Sequence, residues 1–141
     1  MKSEEILALM QQWEKEYLKA NLNFLYAYLS PDFVFHSPPF PDIVGLEANR
    51  QYDEGVFKAY SDIGFTTHDL FVYGNIVVWR WTWEGTHTGR SPSLDIPPTG
   101  KRIKFVGCDV IYWKGDKIVE QWRYCDYLSA MQQMGVIPAA A

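Results

Sequence analysis

Between Ser3 and about Lys19, the apolar residues Ile6, Met10, Trp13 and Tyr17 recur every three or four positions, the spacing of a single stripe on an α-helix. Ser3 is placed to cap its start, and Glu4 and Glu5 sit where the helix dipole favours negative charge. A second, shorter helix opens at Asn21 or Asn23, carries Phe24, Leu25, Ala27 and Tyr28, and is ended by Pro31. A strand from Asp32 to Ser37 follows and stops at the cluster Pro38, Pro39, Phe40, Pro41. Gly45 leads into a third helix, roughly Leu46 to Tyr60, with Tyr52, Val56 and Tyr60 on one stripe.

Beyond Gly64 the period changes from 3.6 to two. Phe65 to Tyr73 and Ile76 to Thr86 read as a hairpin around Gly74 and Asn75. On the second of these strands Val77, Trp79, Trp81 and Trp83 share one face, and Val78, Arg80, Thr82 and Glu84 the other. Thr88 to Gly100 is a loop rich in Pro, Ser and Gly. Lys101 to Trp113 and Lys117 to Asp126 form a last long hairpin around Lys114, Gly115 and Asp116, and Leu128 to Gly135 closes the chain as a short helix. Three helices, one early strand and a meander of long antiparallel strands predict an α+β fold with segregated elements. At 141 residues the chain suits one domain, taken as 1–138, with Ala139 to Ala141 as a tail.

Hydrophobic residues make up 48% of the chain and aromatic residues 16%, a load that suits a wide core or an aromatic-lined cavity. The net charge of −4 and the scattered Lys and Arg argue against a nucleic-acid partner. No apolar run reaches the length of a membrane span, and the acidic start does not read as a signal peptide, so no membrane partner and a cytoplasmic location are expected. Cys108 and Cys125 fall on neighbouring strands and are expected as free thiols.

Several chemistries find no support. His36, His68 and His87 are far apart and form no metal-ligand spacing, so no metal is expected. Gly85 to Gly89 lacks the helix and Lys of a phosphate loop, and no serine sits in a nucleophile elbow. Polar residues set within apolar strands remain. Asp109 shares a strand face with Phe105, Ile111 and Trp113, where a carboxylate must pair, hydrogen-bond or keep its proton. Arg123, in phase with Val119, Gln121 and Cys125 on the next strand, is a possible partner; the two are either a structural ion pair on a solvated face or part of a site. Asp126, just before the last helix, is placed to cap it or to act in acid–base chemistry. His36 is either a base near neutral pH or a packed, hydrogen-bonded histidine.

The stretch from Gly85 to Gly135 carries an ordered set of phrases: Gly-Thr-His-Thr-Gly, Ile-Pro-Pro-Thr-Gly-Lys-Arg, Lys-Gly-Asp-Lys-Ile-Val-Glu-Gln-Trp and Asp-Tyr-Leu-Ser-Ala-Met-Gln-Gln-Met-Gly. That order resembles the SnoaL-like polyketide cyclase family, within the nuclear transport factor 2-like superfamily. Asn21 to Asn23, Ser30 to Phe33 and Gly45 fit the same pattern, so the resemblance covers nearly the whole chain. It implies a cone-shaped, strongly curved mixed or antiparallel sheet wrapped around three N-terminal helices, with a short C-terminal helix and one deep pocket. It also implies a homodimer, which the strand bearing three alternate tryptophans would fit, and an aldol cyclisation without metal or organic cofactor. The family's key aspartate falls six residues past the Lys of its Gly-Lys-Ile phrase; here Lys117 leads to Arg123. Its assisting histidine falls eight before that lysine, at Asp109. Arginine stays charged and accepts no proton, so the resemblance implies a rearranged site in which Arg123 holds an enolate or carboxylate and Asp109 is the base. Asp126 matches a family aspartate at the entry to the last helix. Tyr17 and Tyr52 match ligand-lining positions. With Trp13 one turn before Tyr17, Val56 on the Tyr52 stripe and Gln121 in phase with Arg123, they imply a flat, hydrophobic, cyclic small-molecule ligand. At the places that mark ketosteroid isomerase, a superfamily relative, the chain has Ser37, Trp13 and Asp109; only Asp109 keeps its type, and steroid isomerisation is not expected.

Three functional classes follow: an acid–base enzyme acting as cyclase, isomerase, lyase or hydrolase on a cyclic or polyketide-like carbonyl compound; a non-catalytic carrier of a hydrophobic metabolite; and an interaction module docking through the sheet's outer face.

Overall fold

In the computed structural model, which describes residues 1–139, the elements are α1 (Ser3–Leu18), α2 (Leu22–Tyr26), β1 (Leu29–His36), β2 (Ile43–Val44), α3 (Leu46–Ala59), β3 (Tyr60–Tyr73), β4 (Ile76–His87), β5 (Arg102–Lys114), β6 (Lys117–Cys125) and α4 (Tyr127–Met134). The six strands form one curved sheet in the order β2-β1-β6-β5-β4-β3. Strands β3 to β6 meander antiparallel, whereas β1 runs parallel to β6, so the sheet is mixed and the fold is α+β. Register shifts in β3, between Ser61 and Gly64 and between Thr67 and Asp69, are irregularities of the kind that bend a sheet.

Alternation along the strands builds the core. On β4, Val77, Trp79, Trp81 and Trp83 are all buried, and β5 answers with Ile103, Phe105, Ile111 and Trp113. Ile6 and Met10 of α1 are fully enclosed against this face. The tryptophan row therefore points inward and offers no surface to a second copy; the exposed rings are Phe71, Tyr73 and Tyr124.

Several boundaries differ from the expectation. Pro31 does not end α2, which stops at Tyr26; it lies within β1, in a stretch where the pairing with β6 shifts register and an amide is dispensable. Tyr60 leaves the α3 stripe and opens β3, because the chain passes from helix to extended backbone there (φ −130°, ψ 137°) and Tyr60 pairs with His87. β2, pairing Val44 with Val34 and Ile43 with Phe35, is too short to leave a period in the sequence. Ser3 is the first helical residue, not the cap, and its hydroxyl instead donates to the Gly74 carbonyl at 3.1 Å. Both cysteines are free. Ala139 is described without regular structure, and Ala140 and Ala141 of the expected tail lie outside the described residues.

Gly107 is fixed by close approach. A Cβ there would stand 2.7 Å from two ring carbons of Trp81 and 3.1 Å from the Tyr124 carbonyl oxygen. Gly107→Ala is expected to cost about 1–3 kcal/mol through overpacking, seen as a lower urea midpoint at unchanged slope. A midpoint equal to wild type would contradict this packing.

Candidate functional site

The inner face of β5 runs in steps of two from Phe105 through Gly107 to Asp109 and Ile111, and this places a carboxylate in the core at 3% exposure. Register puts Arg123 of β6 directly opposite. Its Nε donates to Asp109 Oδ1 and its Nη2 to Oδ2, both at 3.0 Å, the bidentate geometry that suits a planar guanidinium. Gln121 Nε2 adds a third bond to Oδ2 at 2.8 Å. The guanidinium lies over the rings of Phe35 and Trp81, at 4.8 and 5.1 Å. Burial alone would depress its pKa, but the Asp109 charge and bonds overcome that and raise it, so Arg123 is a permanent cation. About a quarter of its side chain (26%) stays open to the cavity, and Nη1 has no hydrogen-bond partner among the described residues.

This pair is no solvated surface bridge. It stands in the wall of a cavity of about 160 Å³, room on the order of ten water molecules. Trp13 and Tyr17 of α1, Tyr52 and Val56 of α3, Phe35 of β1 and Gln121 of β6 also line it. Seven of the nine residues expected at the site thus share one cavity. Tyr17 accepts a bond from Trp83 Nε1 at 3.0 Å. Burial raises the pKa of both Tyr17 and Tyr52 well beyond neutral, so both phenols keep their protons. Among the described residues no group of three His, Cys, Asp or Glu is arranged to hold a metal, and no helix is long and apolar enough to cross a membrane.

Two expected residues lie elsewhere. Phe33 and Phe35 take the inner face of β1, so His36 is turned away from the cavity. There it stacks on Trp122 at 3.8 Å and holds Asp42 at 2.8 Å through Nδ1 and Glu120 at 2.9 Å through Nε2. Burial opposes its protonation, but the two carboxylates prevail and raise its pKa. Asp126 is exposed and accepts the Ser129 amide at 2.9 Å, which makes it the N-cap of α4. Its neighbour Tyr127 faces the cavity instead, its hydroxyl 2.7 Å from that of Ser37.

Sequence reasoning passed over Asp53. It follows Tyr52 on α3 and shares the spacing Asn49, Tyr52 or Asp53, Val56, so a carboxylate within the inward stripe was the available signal. The Tyr26 hydroxyl donates to Asp53 Oδ2 at 2.5 Å, while Oδ1 has no partner among the described residues. Burial raises its pKa to about 6, against the opposing pull of the Tyr26 bond and of Arg123 and Arg50. Glu14 also reaches the lining and accepts the Thr67 hydroxyl at 2.8 Å.

Chemically, the arrangement is a fixed cation beside a carboxylate already holding three of its roughly four acceptor sites in hydrogen bonds. Asp109 so engaged fixes the orientation of Arg123.

Residues 8–134 match the family described as SnoaL-like polyketide cyclase. A search of curated proteins returns no match. Among solved structures, AclR from Streptomyces galilaeus, described as a candidate hydroxylase, superposes with TM-score 0.84 at 22% identity, over 99% of this chain and 86% of that one. A candidate polyketide cyclase from Acidithiobacillus ferrooxidans superposes with TM-score 0.73 at 27% identity, over 96% of each chain. An LEH-like epoxide hydrolase from M. tuberculosis gives TM-score 0.73 at 15% identity, over 95% of this chain and 92% of its own. At such identities the first and last are likenesses of fold.

Proposed function

The chain belongs to the SnoaL-like polyketide cyclase family, and from that premise we propose that it is a cofactor-independent enzyme acting by acid–base chemistry on a hydrophobic cyclic or polyketide-like carbonyl compound. One observation carries the reading. A guanidinium locked by Asp109, which Gln121 holds in turn, stands in the wall of a cavity lined by aromatic rings, its Nη1 without a partner among the described residues. Removing a proton beside a carbonyl moves charge onto the carbonyl oxygen, and a preorganised donor in a water-poor site stabilises that charge far better than solvent does. Arg123 supplies the donor. Asp109 keeps it from rotating and Gln121 keeps Asp109 in place. The flat walls, Trp13, Tyr17, Tyr52, Phe35 and Trp81, suit a planar ring system.

The test uses a panel of polycyclic ketones and quinones, each paired with the hydrocarbon of the same outline. A ketone that binds at a hundred times its Kd should stabilise the fold by about 2.7 kcal/mol, and Arg123→Met should remove the preference for ketone over hydrocarbon. Incubated in D2O, the bound ketone should exchange its α-hydrogens for deuterium, as followed by proton NMR. Equal affinity for ketone and hydrocarbon in the wild type would sink the role of Arg123. Binding without exchange would favour the alternative, a carrier of hydrophobic metabolites.

A further inference from the structure

We infer that Asp53 is the proton-accepting group of this cavity, held by Tyr26 so that its free oxygen faces a flat carbonyl substrate bound against Arg123. The inference rests on the acid–base reading of the site and names the residue that reading leaves open.

Three carboxylates reach the cavity lining, and their bonding separates them. Asp109 is tied to Arg123 and Gln121 by three bonds. Glu14 accepts the hydroxyl of Thr67, itself held by Trp79 Nε1 at 3.0 Å. Asp53, half-buried in the lining, has no salt bridge among the described residues, one oxygen without a partner and the other fixed by Tyr26, and its burial is enough to raise its pKa. A base that must strip a carbon-bound proton needs that arrangement: a carboxylate poorly solvated, not neutralised by a neighbouring cation, and oriented through its other oxygen. Tyr26 supplies the orientation, and its own proton is bound too tightly to be released at neutral pH, because burial and the Asp53 charge both raise its pKa. The charged groups around Asp53 are balanced. Arg123 from β6 and Arg50 from α3 favour its ionised form and Glu54 opposes it. Arg50 is drawn off by Glu54 at 3.3 Å and by Asn23 at 2.8 Å.

The step balances within the cavity. Asp53 Oδ1 takes the proton from the carbon beside the carbonyl, the C–H electron pair becomes the enolate, and its oxygen bears the charge beside Arg123 Nη1. The protonated carboxyl then returns the proton to carbon or oxygen of the product, so nothing beyond the substrate is consumed. The raised pKa of Asp53, about 6, places it within reach of neutral pH for both halves of the cycle.

The experiment uses 5-nitro-1,2-benzisoxazole, a flat bicyclic probe. Loss of its C3 proton to a base breaks the N–O bond and gives a coloured cyanophenolate without any co-reactant. In the wild type, kcat/KM should climb about tenfold per pH unit below 6 and level above it. Asp53→Asn should lower the plateau by about a hundredfold or more, with the fold checked by circular dichroism and probe binding by quenching of Trp fluorescence. Tyr26→Phe should move the bend to higher pH, because a bond that favours the carboxylate is gone. Carboxyl NMR on carbon-13 aspartate, assigned by loss of one signal in Asp53→Asn, should show that group titrating near 6 whether or not a probe binds. A carboxyl titrating near the ordinary aspartate value overturns the inference. So does a rate unchanged in Asp53→Asn, or removed instead by Glu14→Gln. A bound probe that never reacts overturns it too, while leaving the carbonyl-binding reading to its own ketone and hydrocarbon comparison.

Discussion

Asp109→Ala is expected to unfold with a stability loss of about 3 kcal/mol or more, among the largest effects of any single replacement in this chain. The carboxylate is 4% exposed at its side chain and is the only ion-pair partner of Arg123 among the described residues. Its removal strands a guanidinium between the Phe35 and Trp81 rings and leaves Gln121 without its acceptor. A surface pair would lose no more than about 1 kcal/mol, so the size of the loss distinguishes a buried pair from an ornamental one. The double variant Asp109→Leu, Arg123→Met should recover most of the loss, since well-packed apolar groups replace a buried pair at little cost. Urea denaturation of Asp109→Leu, Arg123→Met and the double variant gives the coupling through a mutant cycle. A loss below 1 kcal/mol for Asp109→Ala, or a double variant no better than the worse single, would mean the pair is not held as described. The recovered double should still fail to exchange the α-hydrogens of a bound ketone, because its anion-holding donor is gone.

Asp53→Asn should become progressively more stable than wild type as pH rises from 4 to 7. The folded-state pKa of Asp53, about 6, stands above its ordinary value of 3.8, so the native state binds a proton that the unfolded chain has released. Burial is the cause, and it penalises the charged form. Stability from this group is therefore present in full below about pH 4, falls as pH rises through 6, and is absent above it. A shift of two units corresponds to nearly 3 kcal/mol; Asp53 is only half-buried, so solvent screening reduces this to about 2 kcal/mol. His36 also has a raised pKa, and its stabilising contribution is present below 6.5 and lost as pH rises through the folded value. Both trends run downward with pH, and only the difference between variant and wild type isolates Asp53. Parallel stability curves across pH 4–8 would refute the assignment. A variant that gains stability at pH 7 while losing proton transfer would show a function held at the expense of folding.

Much of the site was legible because strand and helix periods are local. The alternation Val77, Trp79, Trp81, Trp83 announced one aromatic face, and the helix spacing put Trp13 with Tyr17 and Tyr52 with Val56. Asp109 and Arg123 stood out as charges in apolar strands, and a hairpin between them made their meeting plausible. Their bidentate contact required the β5–β6 register, which a shift at Tyr112 and Trp113 alters near the turn. His36 shows the opposite case. Alternation says that it lies on the other face from Phe35, but not which face closes over a cavity. Asp126 was legible as a cap, and it is one. Asp53 was hidden because it adjoins the stripe through Tyr52, and its partner Tyr26 comes from a helix of five residues, 27 positions away.

By itself the sequence determined the element order apart from the two-residue β2, the α+β class and which side chains share a face, since these depend on turn chemistry and on periods read over a few residues. The tertiary structure alone decided which face encloses the cavity, which carboxylate is neutralised and which is left without a cation. Solvation and pairing depend on groups brought together from α1, α2, α3, β5 and β6, and no local pattern records their distances.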